Sequence, residues 1–106
     1  MGIVITIPAD PAQAIRSRET DTQPTLQELQ KIVDGYITQV PYWLDYMGTP
    51  CVAFCNEDGR AMQLPINPRA TAFWYEKLGR PADNGDVLVG NVVLLVDLPD
   101  KDDDDA

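Results

Sequence analysis

Asn67-Pro68-Arg69-Ala70-Thr71 places an amide, a guanidinium and a hydroxyl within five residues. Asn followed by Pro is how a helix starts: the amide caps it and proline occupies the first helical position. A helix start leaves backbone N–H groups unpaired and carries partial positive charge, so it can hold a phosphate or carboxylate. Arg69 would add a two-pronged donor to such an anion, and Thr71 a hydroxyl. Arg60 and Arg80 would approach from flanking elements, and Tyr36 or Trp43 could stack a base. These seven residues form the candidate ligand-binding set. The plainer alternative is that Asn67 only caps its helix, worth about 1 kcal/mol, while Arg69 lies over the surface.

Charge supports looking there. The 106 residues carry eight Lys and Arg against seventeen Asp and Glu, a net charge of −9. Residues 97–106 hold six Asp and one Lys, so the tail accounts for −5 of it. Between residues 60 and 80, Arg60, Arg69, Lys77 and Arg80 face Glu76 alone, a net +3 inside an acidic chain. A local site for an anion fits that pattern. Duplex nucleic acid does not fit the whole, because such binding relies on phosphate neutralisation by Lys and Arg.

Most catalytic systems are missing. There is no His, so no Ser-His-Asp or Cys-His nucleophile pair. Neither a P-loop nor a G-x-G-x-x-G run occurs. Glu57 and Asp58 are adjacent in a turn and would point apart into water. The expectation is therefore a protein without catalytic residues, cofactor or metal. Cys51 and Cys55 on one strand would sit roughly 13 Å apart, beyond the reach of a disulfide. Two free thiols fit a reducing cytoplasm, and no apolar run is long enough for a membrane helix.

The elements that must position these residues follow from local pattern. Residues 2–7 alternate β-branched side chains, and 15–19 reads as a polar edge strand pairing back onto them. Thr25-Leu26-Gln27-Glu28 is a capping box, opening a helix over 26–34 with Gly35 as its left-handed cap. Strands are expected at 36–40 and 50–55. An aromatic loop, 41–49, lies between them, with Trp43 only partly covered. Asn56-Glu57-Asp58-Gly59 reads as a hairpin turn with a return strand at 60–64, stopped by Pro65. A second helix runs from Pro68 to about residue 77 and ends at Gly79. A strand at 86–96 closes the domain, with a bulge at Gly90. The sum is an α+β fold, a small mostly antiparallel sheet with two helices, forming one domain over residues 1–98 with a disordered acidic tail at 99–106.

The strings LQELQKIVDGYI, VAFCNEDGRAMQLPINPRAT and GDVLVGNVVLL together resemble small phage and bacterial proteins known as domain of unknown function family 3846. The shared features fall on Gly35-Tyr36-Ile37, on Asn56-Glu57-Asp58-Gly59, on Leu64-Pro65 with Asn67, Arg69 and Ala70, and on Gly90. This chain departs by Pro68 between Asn67 and Arg69, and by a longer aromatic loop at 42–50. The resemblance implies a viral or mobile-element setting, hence the cytoplasm of an infected bacterial host, and no established activity. It also implies that Asn67 and Arg69 belong to a recurring loop. The leading expectation is a phage-encoded accessory protein that binds an anionic small ligand, such as a nucleotide signal sequestered in counter-defence. The alternative is an acidic interaction module that binds and modulates a host protein. The polar edge strand and aromatic loop would also permit a homo-oligomer.

Overall fold

In the structure, a computed structural model, residues 2–97 are described; the expected tail at 99–106 lies outside the described residues. The six strands are β1 (Gly2–Ile7), β2 (Arg16–Thr20), β3 (Ile37–Gln39), β4 (Asp45–Tyr46), β5 (Thr49–Asn56) and β6 (Val92–Asp97). Their order is β2-β1-β6-β5-β3, with β4 folded onto β5. Every pairing of these strands is antiparallel. With the helices α1 (Leu26–Val33) and α2 (Pro68–Leu78), the fold is the expected small α+β sheet domain.

Register divides the apolar residues between two faces, because side chains alternate along a strand. Ile5 lies opposite Leu94 and Ile7 opposite Val92, while Ala53 pairs with Leu94 from the other side. That face is covered by α2 through Ala70 and Trp74, and by Trp43 from the loop after β3. On the opposite face Val4 and Val93 meet Leu29 and Val33 of α1. The sheet is thus sandwiched by one helix per face. β2 is the expected polar edge strand, four of its five residues exposed.

Both helices start as their sequences dictate. Thr25 accepts a hydrogen bond from the Glu28 amide at 3.2 Å, and Asn67 accepts one from the Ala70 amide at 3.0 Å. Their ends differ. Gly79 ends α2 with φ 76, but α1 ends on Asp34 with φ 68 rather than on Gly35. Gly35 instead makes room for a side chain from elsewhere, since a Cβ there would come within 2.7 Å of the Asn56 Nδ2. That Nδ2 donates to the carbonyls of Val33 and Asp34 at 3.0 and 3.1 Å, so β5 closes α1 from a distance.

Two expected strands change form. Residues 57–63 are consecutive turns, and no return strand follows the Asp-Gly pair. The reason is that both edges of β5 are already occupied, by β3 through Ile37 and Asn56 and by β6 through Val93 and Phe54. The strand expected over 86–96 begins only at Val92. Gly90 is not a bulge; at φ 73 it turns the chain, and its amide donates to the Pro65 carbonyl at 2.7 Å. Just before it, Val89 forms an isolated bridge with Ile66 in place of the expected strand pairing.

Cys51 and Cys55 lie on β5 as free thiols. Burial first, then the Asp45 carboxylate, pushes the Cys51 thiol up to about 11, partly offset by Lys77. Burial alone raises Cys55. Thiolate is the reactive form, so native protein at pH 8 should react with a thiol reagent far more slowly than urea-unfolded protein. Stability carried by these neutral thiols is complete below the unfolded value near 9 and is lost as pH rises toward the folded values. Equal labelling rates folded and unfolded would contradict this burial.

Candidate functional site

Asn67 is fully buried, with 0% exposure. Its Nδ2 donates to the Ile7 carbonyl at 2.8 Å and to the Gly90 carbonyl at 2.9 Å. Its Oδ1 caps α2, and its own amide donates to the Leu88 carbonyl at 2.8 Å. Nothing on this side chain is left for a ligand. Thr71 makes a reciprocal pair with Leu88, its Oγ1 accepting from the amide at 3.0 Å and donating to the carbonyl at 3.4 Å. The Arg69 guanidinium reaches away from the helix start, donating to the Pro8 and Asp10 carbonyls at 2.9 and 3.1 Å. The three residues are therefore brought together, but as a lock joining the end of β1, the start of α2 and the 88–90 segment.

The other candidates lie elsewhere. Arg60 pairs with Asp86 and donates to the Val87 carbonyl. Arg80 pairs with Asp83 across an exposed contact of 2.6 Å. Tyr36 is exposed beside the end of α1, its carbonyl accepting from the Glu57 amide at 2.8 Å. Trp43 is the clear reversal: expected to be only partly covered, it is 0% exposed. Its ring packs 6.1 Å from that of Phe73, and its indole N–H has no partner among the described residues. The loop needs this anchor because β4 is only two residues long and cannot hold the segment to the sheet by backbone pairing alone.

Anchoring Trp43 inward turns its neighbours outward. Tyr42 is 72% exposed, Leu44 64% and Met47 81%. Tyr42 and Met47 also adopt positive φ, 66° and 53°, a region that bulky L-residues rarely occupy. Met47-Gly48 forms the two-residue tip between the paired Tyr46 and Thr49, where tight hairpins favour Asn-Gly. Leu44 and Met47 were not singled out from the sequence. Residue type gives no signal here: Trp43, Leu44, Tyr46 and Met47 are all apolar or aromatic, yet the first and third pack on the core while Leu44 and Met47 face out. Because methionine is a poor tenant of that tip, Met47→Asn should raise stability by about 1 kcal/mol. A higher urea midpoint at unchanged slope is the readout; a lower one would refute the strain.

The described residues form several surface grooves, three of which are lined without Asn67, Arg69 or Thr71. One, of about 350 Å³, lies over Val52, Phe54 and Leu95 with Asp21 and Asp97 at its margin. Another, of about 500 Å³, has Glu57, Asp58 and Asp86 against Arg60. The remaining one, of about 480 Å³, lies between Tyr42 and the 80–83 segment over Trp74, and sets Lys77 and Arg80 against Asp83 and Asp86. Lys77 is held by Asp45 at 3.1 Å. Among the described residues no group of three or more Cys, Asp or Glu side chains is placed to hold a metal ion, and no helix is long and apolar enough to cross a membrane.

A family model described as a domain of unknown function (DUF3846) matches residues 4–106, and the chain belongs to that family. No curated protein and no solved structure matches it.

Proposed function

We propose that this member of the DUF3846 family is a phage-borne, non-catalytic binding module that docks on a host protein in the cytoplasm of an infected bacterium. The observation that carries the reading is the outward display of Tyr42, Leu44 and Met47 within six residues. Single exposed apolar side chains are ordinary, but a contiguous group marks an interaction surface. Here the group sits on a loop with two bulky residues at positive φ, and such strain gathers at binding sites. Tyr and Met are also favoured at the centres of interfaces. The acidic balance of the chain, −9 overall, suits a partner whose apolar cleft has a basic rim. The lack of His and the upward-shifted thiols support a non-catalytic role. The test is capture from a bacterial lysate by wild-type protein and by a Leu44→Asp, Met47→Asp double variant. A partner retained equally by both would sink the reading.

A second reading, capture of an anionic small ligand, keeps one supporting observation. The groove beside the same loop combines Lys77 and Arg80 with Tyr42. The helix start that first suggested an anion offers no such support, since Asn67 and Thr71 are committed within the chain.

A further inference from the structure

We propose that the groove between Tyr42 and the 80–83 segment takes a ligand that joins a flat aromatic ring to a phosphate, a mononucleotide being the simplest example. The inference rests on the small-ligand reading above and adds the chemical class and the residues that would select it. Of these three grooves, this one balances its charges, with Lys77 and Arg80 set against Asp83 and Asp86. The groove over Val52 and Phe54 has Asp21 and Asp97 and no cation. The groove at Arg60 sets Glu57, Asp58 and Asp86 against that single arginine. Those two linings are acidic in sum and repel an anion, whereas the lining with Lys77, Arg80, Asp83 and Asp86 is neutral in sum and can admit one.

Its size, about 480 Å³, falls within the range of small-molecule sites, roughly 300–1,000 Å³. Its apolar parts suit a ring. Pro41, Trp74 and Ala82 line it with Tyr42. Trp74 is fixed because its indole N–H donates to the Pro41 carbonyl at 2.8 Å, which ties α2 to the turn that presents Tyr42. Tyr42 itself, at φ 66, is held where an unstrained chain would not put it, with most of its ring in solvent. A stacked base would cover that face, and stacking accepts any base.

Arg80 is available at small cost. Arg80 and Asp83 are both largely exposed, and exposed pairs of this kind contribute little. Arg80 can therefore exchange Asp83 for a phosphate, which it can grip with two parallel N–H donors. Lys77 stays with Asp45 and adds a point charge from the side wall. Arg80 and Tyr42 are thus the ligand-contacting pair, one for each half of the molecule.

The experiment titrates the full chain with adenosine 5′-monophosphate, adenosine, ribose 5-phosphate and inorganic phosphate, by calorimetry at low salt. The nucleotide should bind at least about tenfold more tightly than any of the other three. Tyr42→Ala and Arg80→Ala should each weaken it by about tenfold, whereas Tyr42→Phe should retain it. Both exchanges are at exposed positions, and unchanged urea midpoints will show that the fold persists. If ribose 5-phosphate binds as tightly as the nucleotide, and Tyr42→Ala changes nothing, the ring is refuted while anion capture stands. If none of the four binds, both are refuted, and lysate capture through Leu44 and Met47 is unaffected by that result.

Discussion

Asn67→Ala is expected to lower the unfolding free energy by about 3–7 kcal/mol. The cap on α2 accounts for about 1 kcal/mol. The rest comes from the carbonyls of Ile7 and Gly90, which lose their donor in a site that water does not reach. Each buried acceptor left without a partner costs about 1–3 kcal/mol. A domain with a total stability of roughly 5–15 kcal/mol would be close to unfolding at body temperature. Urea melts of the variant would show this directly, and a loss under 1 kcal/mol would mean that the lock is not as tight as its hydrogen bonds imply. Asn67→Asp gives a second handle should the alanine variant not fold. It keeps the capping oxygen but points a second oxygen at two carbonyls. Burial and those carbonyls would raise the introduced carboxyl above its unfolded value. Its contribution is then fullest below the unfolded value and is lost as pH rises, so this variant should lie closer to wild type at pH 4 than at pH 7.

The largest functional effect should come from Leu44→Asp combined with Met47→Asp. Both side chains are mostly in solvent and Asp tolerates the positive φ at residue 47 better than Met, so stability should not fall by more than about 0.5 kcal/mol. Partner binding should fall by at least about a hundredfold, because two anchors are lost and two charges would have to be desolvated in the complex. Tyr42→Ala would test the third member of the group, with the complication that it also lines the groove. Comparing these variants separates the two readings: loss at Leu44 and Met47 with nucleotide titrations unchanged assigns the loop to a protein partner. Undiminished capture by the double variant would remove the loop from the function altogether.

The features legible in the sequence are those set within a few residues. Thr25 with Glu28, and Asn67 with Pro68, specify helix starts that occur where their spacing puts them. Alternation along residues 2–7 assigns both faces of β1. The features that escape it depend on who the neighbours are. Asp58-Gly59 is good hairpin chemistry, yet β5 has no free edge for a return strand. Gly35 is the better left-handed cap by type, yet Asn56, more than twenty residues away, occupies the space a side chain would need. Trp43 has loop neighbours and no periodic pattern, and its burial is decided by Phe73 on α2. The same gap affects the site. Asn67 and Arg69 look free because their acceptors are distant in sequence, Ile7, Pro8 and Asp10 far before them and Gly90 well after.

The strand order has a consequence for how this protein comes off the ribosome. β6, the last strand in sequence, sits in the middle of the sheet, between β1 and β5. Until Asp97 has emerged, β1–β2 and β5–β3 are two separate ribbons, each with one inner edge unpaired and apolar side chains uncovered. Translation at about 5–20 residues per second leaves those edges open for seconds, with contacts of long sequence separation still to form. Entry of β6 between the two ribbons joins them, so completion of the sheet waits on this one strand.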